Sequence, residues 1–358
     1  MFSRRLCAAW CLPLALTAHT SATAATPHLA VRGQEIVDPS GQPILLRGWN
    51  WGHWGKAQPT DASDNAAQGA NVVRIPLRWW GFYEGHGIDS RDDNATSTAG
   101  ISAAHLKHLD EMVQWASSAK LWIVLFIDSD CGQNGTQNAE EKRYCDPKGE
   151  FVQGHNFWTD KAMRQKFLAV WRFIANRYKD TPYIGMFEPL PEPNPPGVPD
   201  EQIKAFYAEV MGVIREAAPG VPTLIGGRAY KAPAIAQVYD PGWKDVVYTG
   251  NLFLHARRGA DEASLDELRS RAKMLLALRT EHKVPVFVQQ VGVRSGEDPN
   301  VKAVKVVLSH LVDNRIGFAY WEYRGANNPN EYGVMYQRGN QWLAKRDWMD
   351  AITPFFKQ

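Results

Sequence analysis

The chain has 358 residues, 44% hydrophobic and 22% charged, with 40 Lys and Arg against 38 Asp and Glu for a formal net charge of +2. Such a composition supplies a large apolar core, and its even balance excludes both a disordered chain and a basic surface tracking nucleic-acid phosphates. In the opening MFSRRLCAAWCLPLALTAHTSATAATP, Arg4 and Arg5 precede an apolar stretch, and Ala22, Thr23 and Ala24 supply a small-x-small cleavage signal. This reads as a secretory signal peptide over residues 1–25, cut near Ala24 or Ala25. The stretch is too short and interrupted for a membrane span, and SRRL is a weak hint of twin-arginine export. The expectation is an exported, monomeric chain with one domain over residues 26–358 and a charge near zero once the two arginines leave.

Next, LAVRGQEIVDPSGQPILLRG reads as a hairpin turning at Pro39, Ser40 and Gly41, feeding a first strand that ends in GWNWGHWG. Further strand signals fall at 71–77, 121–127, 183–189, 222–227, 245–253, 284–290 and 317–323. Most are continuous apolar runs, as parallel strands buried on both faces require. Between them lie helical periods such as SAAHLKHLDEMVQWASSAK, where Leu106, Leu109, Met112 and Val113 form one stripe. His105 and His108 lie one turn apart there and read as a solvated helix face; no metal or cofactor is expected. The proline-dense PLPEPNPPGVPDE reads as a loop within the domain. Eight strands with intervening helices predict an α/β fold, a (β/α)8 TIM barrel with an N-terminal β-hairpin; an open doubly wound sheet would need a Gly-rich phosphate turn that the sequence lacks.

Leaving aside Cys7 and Cys11 of the signal, Cys131 and Cys145 remain, and in an oxidising compartment they are expected to pair, closing a loop for roughly 3 kcal/mol. A barrel collects its chemistry at the C-terminal ends of its strands. Those ends carry Asn50, Trp51 and Trp54; Arg74, Trp79 and Trp80; Asp128 and Asp130; Glu188 and Glu192; Asn251, Phe253 and His255; Gln289 and Gln290; and Trp321, Glu322 and Tyr323. Aromatic faces that stack on sugar rings, with amides that satisfy hydroxyls, suit a β-linked oligo- or polysaccharide. Asn50, Trp51, Trp80, Asn251 and Trp321 are the candidate binding residues.

RGWNWG, NVVRIPLRW, the Glu192-Pro193 pair, VPVFV with Gly292, and the YW of the last strand occur in an order that resembles glycoside hydrolase family 5, the cellulase and exo-β-glucanase group; QNG at 133–135 is similar to its exo-glucanase members. The resemblance covers essentially the whole chain after the signal. It implies a barrel of retaining β-glycosidases, whose two carboxyl groups stand about 5 to 5.5 Å apart. By resemblance, the acid/base at the end of the fourth strand falls on Glu192. The nucleophile, the Glu of a Gly-Glu-Phe-Gly-like motif on the seventh strand, falls on Gln290.

Further departures accompany that amide. The Asn before the acid/base, which in the family binds the sugar 2-hydroxyl, is Pro191; the His and Tyr of the sixth strand fall on Asn251 and Phe253; the His of the third falls near Ile127 or Asp128. Only Arg74, Glu192 and Trp321 match outright. The expectation is a β-glycan-binding barrel, degenerate or very weak as a retaining glycosidase. One alternative is a rearranged, inverting enzyme with Glu192 as acid and Asp128, Asp130, Glu188 or Glu322 activating water. Another is a docking subunit in polysaccharide export or assembly.

Overall fold

A computed structural model of the chain describes residues 28–52, 54–78, 103–128, 158, 161–195, 197–228, 232–254, 262–294, 301–325 and 332–357. The expected signal peptide, Trp79, Trp80, Asp130, Cys131, Cys145, QNG and His255 lie outside these residues, as do the side chains of His105 and Asp128.

The staves are β3 (Arg47–Asn50), β4 (Val72–Arg78), β5 (Trp122–Asp128), β6 (Ile184–Glu188), β7 (Thr223–Gly226), β8 (Val246–Thr249) continued by β9 (Asn251–Leu254), β10 (Phe287–Val293) and β11 (Gly317–Tyr320). Every pairing among them is parallel, in the order β8-β7-β6-β5-β4-β3-β11-β10-β9. A parallel bridge between Tyr248 and Val286 joins β8 to the segment entering β10 and closes the ring. Counting β8 and β9 as one stave broken at Gly250, this is the expected (β/α)8 barrel. Helices α1 (Asp61–Ala67), α2 (Ala103–Ser118), α3 (Lys161–Tyr178), α4 (Asp200–Ala217), α5 (Ala232–Val238), α6 (Glu262–His282) and α7 (Val301–Asp313) fill the crossovers, and α8 (Arg346–Ile352) follows the last stave.

Continuous apolar runs form these staves because each has two faces to bury. Outward side chains such as Val73, Ile75, Ile123 and Leu125 pack under the helices, including the Leu106, Leu109, Met112 and Val113 stripe of α2. Inward ones, Leu46, Val72, Val124, Met186, Leu224, Val247, Phe287 and Ala319, make a separate inner cluster at the N-terminal end of the barrel. Leu29 and Ile36 belong to that inner cluster; they come from β1 (Ala30–Arg32) and β2 (Glu35–Val37) and the residue before them, which together stopper the barrel.

The hairpin differs from its expected form. Its strands pair Val31 with Ile36 and Arg32 with Glu35, so the reversal is at Gly33 and Gln34, where Gly33 takes the φ of +59° that such two-residue turns demand. Pro39, Ser40 and Gly41 make a second turn, held by the Asp38 carboxylate accepting from Ser40 N and Gln42 N at 2.9 and 3.0 Å.

Gly48 on β3 is where two staves come closest: a Cβ there would lie 1.9 Å from the Val72 carbonyl oxygen. Backbone has no rotamer with which to yield, so Gly48→Ala is expected to cost at least about 3 kcal/mol, the upper range of overpacking. Urea unfolding at unchanged m measures it, and a loss under about 1 kcal/mol would show that the staves part freely there.

Candidate active site

At the C-terminal end of the barrel, three side chains converge on one amide. Asn251, at the start of β9, donates from Nδ2 to Glu192 Oε1 and to Gln290 Oε1, the latter at 3.3 Å, while its Oδ1 accepts from Gln289 Nε2. Regular alternation would send Gln289 and Gln290 to opposite faces of β10. Against β11, however, Val288 pairs with Phe318 and Val291 with Tyr320, so β10 carries one extra residue at these two glutamines. The bulge turns both amides toward Asn251.

Two oxygens sharing one donor nitrogen lie within about two hydrogen-bond lengths, ~6 Å. That bound on the approach of Glu192 and Gln290 falls below the roughly 6.5 to 9.5 Å carboxyl separation of inverting glycosidases. One member of the pair is a carboxylate and the other a carboxamide.

Glu192 sits on the loop after β6 with φ of +49°, a conformation that non-glycine residues adopt rarely and functional sites often. The surrounding structure fixes that loop. Trp171 of α3 donates from its indole to the Pro189 carbonyl at 3.0 Å, Tyr207 of α4 donates to the Leu190 carbonyl at 2.8 Å, and Arg228 reaches the Pro195 and Val198 carbonyls at 2.9 and 2.5 Å.

Below these groups the barrel interior holds a polar layer. Arg74 donates through Nε to Glu188 Oε2 at 2.6 Å and through Nη1 to Asn50 Oδ1 at 2.9 Å, and its guanidinium lies 3.4 Å from the centre of the Phe126 ring. Arg74 and Glu188 are both 0% exposed. Asn50 in turn donates to the Gln289 carbonyl at 2.8 Å and the Ala319 carbonyl at 3.0 Å, and Gln289 N–H donates to Thr249 Oγ1 at 3.1 Å. The layer clamps the strands that carry Gln289 and Asn251. Arg74 thus ties Glu188 and Asn50, on two other staves, to β4.

Two expected sugar-binding residues are displaced. Asn50 is fully buried, with its amide committed to backbone carbonyls and Arg74. Trp51 is 1% exposed and donates its indole N–H to Asn65 Oδ1 at 2.9 Å, so its ring belongs to the core and has no free face for stacking. Trp321, after β11, is half-buried, with its backbone N–H on the Val291 carbonyl at 2.8 Å. Glu188 is held by Arg74 and Glu322 is buried, so neither faces solvent above Glu192.

His108 is not a solvated helix residue. Its ring meets Trp54 edge-on at 5.0 Å and lies 6.4 Å from Trp115, and burial lowers its pKa. Among the described residues no group of His, Cys, Asp and Glu is arranged to hold a metal, and no helix is long and apolar enough to cross a membrane. No local sequence pattern announces the buried ion pair between Arg324 and Asp61, 2.7 Å from Arg324 Nε to Asp61 Oδ2. These partners are 263 residues apart and share no motif.

Residues 37–327 match the family model described as Cellulase (glycosyl hydrolase family 5). Over 163 residues the chain is 27% identical to the "Probable glucan 1,3-beta-glucosidase A" of Emericella nidulans, covering 45% of this chain and 35% of that protein. It is 28% identical over 158 residues to glucan 1,3-beta-glucosidase I/II of Saccharomyces cerevisiae, covering 43% and 31%. The chain thus spans about a third of the length of these curated relatives. Thermotoga maritima Cel5A in complex with cellobiose superposes with a TM-score of 0.65 at 20% identity, over 86% of this chain and 97% of that one. An endogalactoceramidase gives 0.70 at 18%, over 91% and 84%. At such identities the superpositions carry the fold alone.

Proposed function

The chain belongs to glycosyl hydrolase family 5, and from that premise we propose that it is an exported barrel that binds a β-linked glycan in the cleft over Glu192 and hydrolyses it weakly or not at all. The observation that carries this reading is the shared nitrogen of Asn251, which holds Glu192 and Gln290 closer than an inverting pair while one of the two is an amide. Glu192 supplies a group able to donate a proton to a departing sugar oxygen. Gln290 supplies no anion to attack the anomeric carbon, because a carboxamide is neutral and a poor nucleophile. Cleavage by the retaining route stops before its covalent intermediate, and the contacts that hold the sugar remain.

Trp321 is the stacking platform in this reading. Calorimetry with cellohexaose, laminarihexaose and mannohexaose is expected to show binding that Trp321→Ala weakens by more than about 1 kcal/mol, the usual cost of truncating a packed aromatic anchor. Affinities untouched by that change would put the cleft elsewhere. Turnover with inversion of configuration would favour the rearranged enzyme, with its base among carboxylates other than Glu188. Export carries its own test: periplasmic or secreted protein is expected to resist alkylation at Cys131 and Cys145, and two free thiols would dismiss that bridge.

A further inference from the structure

The opposite end of the barrel holds a second concavity. The loop before β8, the segment before β10, and Val31 and Gly33 of the hairpin line an open cavity of about 360 Å³, within the size range of small-molecule sites. Val284 at its rim precedes Gln290 by six residues along one strand direction, which puts the cavity roughly 20 Å from the cleft.

Four ring-bearing residues, Tyr239, Trp243, Tyr248 and His282, are among its lining. Tyr239 stacks on His282, with ring centres 4.0 Å apart at 27°, and Trp243 is half-buried beside them. The polar groups are of both kinds. Tyr248 is 2% exposed, and among the described residues its hydroxyl meets only the Asp240 backbone N–H, which donates to it at 3.5 Å. That leaves the phenolic proton without an acceptor, and burial raises the Tyr248 pKa, so the proton is retained. The His282 ring nitrogens meet no hydrogen-bond partner among the described residues. The charged lining residues balance, Asp240 and Asp245 against Lys244 and Lys283. Lys204, which approaches Asp240 at 3.0 Å, also donates to the Tyr239 carbonyl at 3.0 Å.

We propose that this cavity is a second saccharide site, taking one or two rings of a neutral glycan with Trp243 as the stacking face and the Tyr248 hydroxyl and His282 imidazole as its hydrogen-bonding groups. Even lining charge disfavours an ionic ligand, whereas aromatic faces set among unpaired donors and acceptors are what a polyhydroxylated ring requires. The inference rests on the reading of the protein as a glycan binder, and it gives one molecule two attachment points on a polymer. Simultaneous engagement of two such sites raises apparent affinity for a long chain with no new contact at either.

The test uses the full chain and the same three hexasaccharides, with far-UV circular dichroism confirming the fold of each variant. Trp321→Ala is expected to retain residual binding, and Trp243→Ala added to it is expected to weaken that residue about tenfold or more. Gly33→Asn serves as a second variant that removes no packing. Its φ of +59° lies in the left-handed region that asparagine tolerates better than other side chains, and at this lining position, with no atom within 4 Å of a Cβ, a side chain has room to narrow the cavity. Loss of all binding in Trp321→Ala overturns the second site and leaves the cleft reading intact. Residual binding indifferent to both Trp243→Ala and Gly33→Asn also overturns it. If Trp321→Ala changes nothing and Trp243→Ala removes all binding, the second site stands and the cleft reading falls. A wild type that binds none of the three sugars overturns both.

Discussion

Arg74→Ala is expected to destabilise the protein by about 3–5 kcal/mol, the cost of leaving one member of a buried ion pair without the other. Arg74 and Glu188 are both fully buried and meet at 2.6 Å. The change also removes the donor to Asn50 Oδ1 and the guanidinium above Phe126. In urea the midpoint should fall at constant m, and Tm should drop by about 5 °C for a domain of this size. Arg74→Met combined with Glu188→Leu is expected to recover much of the loss, because apolar residues of similar volume replace a buried pair at little cost. A loss below about 1 kcal/mol in Arg74→Ala would mean that water reaches Glu188 readily, and the polar layer would then be no clamp.

The second large effect is a gain. Gln290→Glu alone is expected to raise hydrolysis of an activated aryl β-glucoside by less than about tenfold. The new carboxylate would lie beside Glu192 with only the Asn251 amide between them, and Pro191 still offers nothing to the sugar 2-hydroxyl. Adding Pro191→Asn, Asn251→His and Phe253→Tyr is expected to lift kcat/KM by on the order of 10³-fold over wild type, since groups that act as a unit are strongly non-additive and several kcal/mol of transition-state contact is restored together. The geometry adds a fifth change. Gln289 Nε2 donates to Asn251 Oδ1, so Asn251→His strands it, and Gln289→Gly removes the conflict. Mass spectrometry after a 2-fluoro glycoside should find the adduct on position 290. An adduct on another carboxylate of the unaltered protein would show that the nucleophile is misassigned.

Much of the barrel was legible because a parallel stave buried on both faces writes itself as an unbroken apolar run. The sequence misled where polar residues are buried. Gln289 and Gln290 read as the end of a strand, yet β10 continues to Val293, with Asn251 bonded to one atom of each amide. That Glu192 and Gln290 approach one another, both meeting Asn251, was legible from motif order. That Asn50 and Trp51 lie under the cleft was not, because residue type does not record which wall of a stave a side chain meets. Asn50 is captured by strands 239 and 269 residues away, and no local pattern announces such partners. The bulge that brings two consecutive glutamines to one asparagine is likewise a matter of register between β10 and β11, set by the whole ring.

The hairpin stopper governs the order in which the molecule can be assembled. Leu29 and Ile36 share one buried cluster with Phe287 and Ala319. Arg279 reaches back to the Gln34 carbonyl at 3.3 Å and to Glu35 at 2.6 Å, spans of 245 and 244 residues. During synthesis the stopper leaves the ribosome long before its seat exists, so closing entropy is spent on loops of more than two hundred residues before the inner cluster returns any burial. The barrel base is therefore among the last regions to become water-free, and a nascent chain stays open until β10 and β11 have emerged. A protein built this way is without a sealed barrel base for almost the whole of its synthesis.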